Sequence, residues 1–282
     1  MPGMAIAVQP RERTAEARGL RFHYVEWGEA GAPPILLLHG LSAMCRIWDP
    51  LGRALQDRYR LIALDQRGHG DTSWPDQPAY STDDYVGDLE ALVDVWGLDR
   101  FALVGLSMGA MNAMAYAARH QERLTHLVSV DIRPGINPDK RPGLEQSKAT
   151  AEQGHPALPS LDAAFMLRKL SHPNTRDEVI RHHVEHLCKP APDGKLVYKH
   201  DPRASFYWRP GNLWAELPKI RVPVLIVRGG RSGVLSAEVA EQMRAAFPNA
   251  ELVTIAQAGH TVPEDQPEQF IEAVERFLAK PA

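Results

Sequence analysis

Short runs rich in apolar residues recur along the chain, at 35–38, 60–64, 101–104, 124–130, 220–227 and 250–255. Runs such as Ile35-Leu-Leu-Leu show little alternation between apolar and polar positions, as expected of strands covered on both faces, the situation of a parallel sheet. Residues 20–27, Leu-Arg-Phe-His-Tyr-Val-Glu-Trp, behave differently. They alternate and are rich in aromatics, which predicts a half-buried antiparallel strand at an edge.

Between these runs the period changes. Ser81 and Thr82 followed by Asp83 and Asp84 make a helix start, and Tyr85, Leu89, Leu92, Val93 and Trp96 then recur at helical spacing. The pattern predicts an amphipathic helix over 82–97. Further helices are expected over 48–57, from 108 to about 119, over 236–247, and after Pro267, which suits a first helical turn. Strands alternating with helices predict an α/β fold with a mostly parallel, doubly wound sheet.

The rhythm stops at Arg133-Pro-Gly-Ile-Asn-Pro. From there to 217 the chain offers helical patterns near 143–153, 161–171 and 175–187, many prolines, and no buried strand. Residues 1–132 and 218–282 are therefore expected to form the core, with 133–217 inserted as a helical cap over the carboxyl edge of the sheet.

Composition narrows the function. The 282 residues are 44% hydrophobic, enough for a sizeable core, and the net charge of −3 gives no polybasic field for nucleic acid or an anionic membrane. Two cysteines, Cys45 and Cys188, make neither a disulfide framework nor a metal-ligand spacing. A reducing, cytoplasmic location fits. The amino terminus lacks the basic and apolar regions of a signal peptide, and no stretch of about eighteen apolar residues predicts a membrane span.

The chemistry concentrates at Gly105-Leu-Ser-Met-Gly (105–109), which follows an apolar run and opens a helix rich in Ala and Met. G-x-S-x-G between strand and helix places a serine hydroxyl at a sharp turn at the end of the sheet. The glycines remove side chains that would clash there. The Met108 amide and the helix N-terminus direct positive dipoles at an oxyanion beside Ser107. Ser107 needs a base, since a free hydroxyl is a poor nucleophile. His260, in the loop after the last strand, is placed to be that base, and a carboxylate must orient it. A neutral imidazole is required, so activity should fall on the acid side of neutrality.

With His39-Gly40, Asp65-Gln-Arg-Gly-His-Gly (65–70), the 105–109 motif and Ala258-Gly-His (258–260) in place, the chain resembles the α/β-hydrolase-fold serine hydrolases over nearly its whole length. The resemblance implies a helical lid, an oxyanion hole of the Leu41 and Met108 amides, Ser107 as nucleophile and His260 as base. It implies no cofactor. Many members carry the acid in a run resembling Arg-Gly-x-x-Ser-Asp-Val-Leu. Here that run is Arg228-Gly-Gly-Arg-Ser-Gly-Val-Leu, with Gly233 in the aspartate's place. Other members carry the acid one strand earlier, where Asp131 stands. Asp131 is the expected acid, ahead of Asp201, Glu238, Glu264 and Asp265.

Other residues have plainer readings beside functional ones. His39 could touch substrate or hydrogen-bond nearby backbone. Asp65 and His69 read as structural. Glu178, His182 and His186 share a helix face at a spacing that can bind metal but more often makes a solvated face, so no metal is expected. Phe165 and Trp208 are candidate pocket residues among the cap's apolar side chains. The first functional expectation is hydrolysis of a carboxylic ester or lactone through an acyl-enzyme, the partner being a small-molecule substrate. The alternatives are the same triad used for C–C hydrolysis or peracid formation, and a non-catalytic binder that keeps the fold.

Overall fold

The computed structural model describes residues 9–135 and 144–282. Its core is an eight-stranded sheet. In chain order the strands are β1 (Arg11–Ala17), β2 (Leu20–Trp27), β3 (Pro34–Leu38), β4 (Arg60–Leu64), β5 (Phe101–Leu106), β6 (Leu124–Val130), β9 (Val224–Gly229) and β10 (Ala250–Ile255), while β7 (Cys188–Pro190) and β8 (Leu196–Tyr198) pair apart from it. The spatial order is β1-β2-β4-β3-β5-β6-β9-β10. From β4 to β10 every pairing is parallel, whereas β2 runs antiparallel to both β1 and β4.

The unalternating runs are explained by helices on both faces. Alternate residues of a strand point to opposite sides. Leu36 and Leu38 of β3 enter one cluster with Val86, Leu89 and Leu92 of α2 (Thr82–Val95) and Met111 and Met114 of α3 (Met108–His120). Ile35 and Leu37 enter the other, with Leu51 and Leu55 of α1 (Asp49–Leu55) and Phe270, Val274 and Phe277 of α10 (Pro267–Leu278). The start of α2 is a full capping box: the Ser81 hydroxyl accepts from the Asp84 amide while the Asp84 carboxylate accepts from the Ser81 amide.

Two expectations are corrected. The strand at 20–27 is second from the edge, because β1 lies outside it. β1 reads Arg-Glu-Arg-Thr-Ala-Glu-Ala and has no fully buried position, so it carries no apolar period. Backbone pairing and cross-strand ion pairs such as Arg11–Glu26 hold it, and its charges suit an edge. The strand expected from 220 begins at Val224, after Pro223, whose ring removes a ladder donor.

Within 144–217 the expected helices are present as α4 (Leu144–Gln153), α5 (Leu161–Ser171) and α6 (Asp177–Leu187). Position 143, the expected start of the first, lies outside the described residues, as does 136–142. The β7–β8 hairpin and a short helix α7 (Pro202–Tyr207) were not legible in the pattern. Leu158, Ala164, Phe165, Ile180, Val184 and Cys188 give this region a small core of its own. Strand β9 returns the chain to the sheet, α8 (Ala237–Ala246) links it to β10, and α9 (Val262–Asp265) precedes α10. Among the described residues no helix is long and apolar enough to cross a membrane.

Candidate active site

Loops at the carboxyl ends of the parallel strands β5, β6 and β10 meet beside Ser107. The residue sits between β5 and α3 with φ 53° and ψ −117°. That conformation costs a non-glycine residue about 1–3 kcal/mol and persists only where the surroundings over-determine it. Here the Ser107 amide donates to the Val130 carbonyl at 2.9 Å, and its carbonyl accepts from Ala110 and Met111, each at 3.0 Å. The motif's glycines are forced by close approach. A Cβ at Gly109 would stand 2.3 Å from the Leu38 carbonyl oxygen, and one at Gly105 would stand 2.4 Å from that of Gly109.

His260 lies in the loop between β10 and α9. Its Nε2 is 2.9 Å from Ser107 Oγ, and its Nδ1 is 2.7 Å from Asp131 Oδ2. An ionised carboxylate only accepts, so Nδ1–H donates to Asp131 and Nε2 is left to accept from the serine hydroxyl. Asp131 is fully buried just past β6, with φ 48°, and its Oδ1 accepts from the Gly229 amide at 2.9 Å. Gly233, in the place where a carboxylate is often found, has open space around it. The structure thus brings Ser107, His260 and Asp131 together. Asp201 instead caps α7, and Glu238 lies on α8 beside Gln242.

The loop after β3 closes on the serine. A Cβ at Gly40 would be 3.3 Å from that of Ser107. His39 is fully buried, with Nδ1 donating to the Gly40 carbonyl at 2.7 Å and Nε2 accepting from the Gln66 amide at 3.1 Å. The Gln66 side chain donates to the His39 carbonyl and accepts from Asn112 of α3. Both His39 ring nitrogens are committed to this scaffold, leaving neither for a substrate. The loop runs on into Leu41, which packs against the cluster that holds Met108, and Met108 opens α3, where first-turn amides have no partner within the helix.

Trp208 packs beside Met108, Tyr80, Tyr85 and Ala204, with Leu41 and Tyr207 against the same cluster. Phe165 is buried in the small core of the 144–217 region, with the Arg181 guanidinium 4.5 Å from its ring centre. Of the two candidate pocket aromatics, only Trp208 shares a cluster with the serine's turn. Glu264 and Asp265 are both buried and hold the loop that carries His260. Asp265 accepts from the Gly259 amide at 2.7 Å and from Thr175 Oγ1. Glu264 pairs with Arg168 at 2.8 Å and with His183. Their position just after His260 was the sequence signal, but only packing shows that they face inward.

The polar groups around β2 and β4 have their own logic. Burial alone would lower His23, but hydrogen bonds to Asp65 and Glu12 outweigh it and raise its pKa to about 9. Burial would raise Asp65, but His23 holds it down at about 2. Asp65 is structural, as expected, since its remaining bonds go to the Cys45 and Asp71 amides. His23, Cys45 and Asp65 place donor atoms within 4.8 Å of one another, the one such group among the described residues. Both His23 ring nitrogens are engaged by carboxylates, Nδ1 by Asp65 and Nε2 by Glu12, and burial pushes the Cys45 thiol well up, so the set does not present free metal ligands. The His182 and His186 rings touch, 4.7 Å between centres, but Glu178 pairs with Arg176 and His182 Nε2 lies 2.9 Å from Asp49, so the three do not form a ligand set.

The chain is similar in sequence and fold to known proteins. A sequence model of the alpha/beta hydrolase family matches residues 35–273. The 2-(acetamidomethylene)succinate hydrolase of Mesorhizobium japonicum is 30% identical over 254 residues, covering 89% of this chain and 90% of that one. Esterase YbfF of Escherichia coli is 28% identical over 245 residues, covering 87% and 92%. A crystal structure of E-2-(acetamidomethylene)succinate hydrolase superposes with a TM-score of 0.85 at 27% identity, covering 96% of this chain and all of that one.

Proposed function

We propose, from the premise that this chain belongs to the alpha/beta hydrolase family, that it is a serine hydrolase cleaving a carboxylic ester or lactone through an acyl-enzyme. The observation that carries this reading is the unbroken relay from Ser107 Oγ through His260 to Asp131, at 2.9 and 2.7 Å. Relatives named as esterases support the same bond type.

Ser107 Oγ attacks the carbonyl carbon as His260 Nε2 takes its proton. The Leu41 and Met108 amides hold the oxyanion, and removing one such donor typically costs about 10² to 10³ in turnover. Asp131 keeps the imidazole in the right tautomer and stabilises its cation. The tetrahedral intermediate collapses, His260 protonates the leaving alkoxide, and the acyl group remains on Ser107. Water then gives its proton to His260 and attacks the acyl carbon. A second tetrahedral species expels the carboxylic acid, and the proton returns to Ser107.

The strained serine turn argues against a non-catalytic binder, since backbone strain of this kind clusters at sites that use it. The test is Ser107→Ala assayed on p-nitrophenyl esters and lactones, with fluorophosphonate labelling of the wild type. Loss of turnover together with labelling at Ser107 is expected. Wild-type turnover in the variant would overturn the reading. A parallel assay with 2-(acetamidomethylene)succinate and with peroxide as acceptor separates the ester reading from other uses of the same triad.

A further inference from the structure

The loop after β9 has no carboxylate at Gly233, yet it still reaches the triad. Its path is fixed by backbone bonds: Gly230 N to Ile255 O at 2.8 Å, Arg231 N to Ala258 O at 2.9 Å, and Ser232 N to Gly229 O at 3.1 Å. These place Ser232 against Asp131. Ser232 Oγ accepts from the Val234 amide at 3.0 Å and lies 2.5 Å from Asp131 Oδ2. Because the carboxylate only accepts and the hydroxyl's acceptor side is taken by Val234, the hydroxyl proton points at Asp131. Oδ2 is also the oxygen that receives His260 Nδ1–H.

We propose that Ser232 is a positioning residue of the triad, whose hydroxyl shares Asp131 Oδ2 with His260 and so fixes the carboxylate's rotation and moderates its pull on the imidazole. This inference rests on the triad reading above. With Gly229 N on Oδ1 and Ser232 Oγ on Oδ2, the carboxylate is held at both oxygens, and His260 meets one orientation of it. A donor on Oδ2 also withdraws negative charge from the atom that faces the imidazolium. The loop that lacks the acid thus contributes a hydroxyl that orients an acid supplied by the neighbouring strand.

The other charged groups on the surrounding elements are spent elsewhere. Arg228 donates to the Leu235 and Gly230 carbonyls, and Arg231 donates to Asn174 and Gln257. Glu264 pairs with Arg168 and His183, and Asp265 receives Gly259 N and Thr175. Among the described residues, none of these bonds Asp131 or the His260 ring.

The experiment compares wild type, Ser232→Ala and Ser232→Thr by pH profiles of kcat/KM on a p-nitrophenyl ester, with thermal midpoints measured alongside. Loss of one charge-assisted hydrogen bond should lower kcat by roughly tenfold. It should also move the acid limb of the Ala profile upward by about half a pH unit, since an uncompensated Oδ2 favours the imidazolium. Ser232→Thr, which keeps the hydroxyl, should restore both. An acid limb that stays in place, whatever the rate, would overturn the proposal. So would a Ser232→Ala chain that does not fold, because the hydroxyl would then be a structural staple. Ser107→Ala inactivity with an unmoved Ser232→Ala limb removes this inference alone, whereas an active Ser107→Ala removes the triad reading itself.

Discussion

Arg168, on helix α5, donates to Glu264 at 2.8 Å, and Glu264 belongs to the short helix that follows His260. Thr175 reaches Asp265 in the same helix, and Asp265 in turn holds Gly259 N. Helix α5 and the Thr175 turn are therefore fastened to the segment 259–265, which carries His260.

Glu264→Gln and Arg168→Met should each destabilise the protein by about 3–5 kcal/mol, because removing one partner strands a buried charge. Burial alone would raise the Glu264 pKa, but His183 and Arg168 hold its carboxyl far below the usual range. A depressed carboxylate stabilises fully above its unfolded value, near 4.5, and less as pH falls below it. Urea midpoints of wild type and Glu264→Gln should differ by a constant amount above pH 5 and converge in acid. A gap that widens in acid would contradict the pairing.

Asp131→Asn should keep the fold and lower kcat by about 10⁴, the scale seen when a triad loses the group that sets its imidazole tautomer. The second half of the prediction is a gain. A Cβ at Gly233 meets nothing within 4 Å, so Gly233→Asp should fold, as its thermal midpoint will check. Placed in the Asp131→Asn background, it should recover part of the lost kcat, measured on the same ester substrate. No recovery would mean that a carboxylate there does not reach His260.

Gly109→Ala should abolish soluble expression or activity, because its Cβ would stand 2.3 Å from the Leu38 carbonyl oxygen, which is backbone and has nowhere to go. Gly233→Ala, by contrast, should be within about 0.5 kcal/mol of wild type. Thermal midpoints of the two variants check the contrast.

His23 predicts an alkaline weakness. Its folded pKa is raised to about 9, so its bonds to Asp65 and Glu12 stabilise fully below the free value near 6.5 and fade as pH rises through 9. The stability advantage of wild type over His23→Gln should be flat in mild acid and vanish above pH 9, as read by chemical denaturation at fixed pH. An advantage that persists unchanged at pH 10 would show that His23 is held as a neutral ring.

Much of this was legible in one dimension. Ile35–Leu38 and Phe101–Val104 announce strands covered on both faces, because burial on two sides leaves no place for alternation. Gly105-Leu-Ser-Met-Gly announces its turn, because only glycines fit the close backbone approaches at 105 and 109. Capping at Ser81 is a local hydrogen-bond pattern, and local patterns survive in sequence.

Tertiary structure decided what depends on distant partners. β1 is visible only through its ladder with β2, since its own residues carry no period. Asp131 was preferred over four other carboxylates for its strand position alone, and its contact with His260 Nδ1 exists only once the β6 and β10 loops meet. Nothing near Ser232 in the chain says that its hydroxyl reaches Oδ2 of a residue about a hundred positions earlier. Periodicity reports which side of an element is dry, and that is a property of short segments. Which loop supplies a hydrogen bond to which carboxylate is set by the order of strands in the sheet, and that order exists only after the chain has closed.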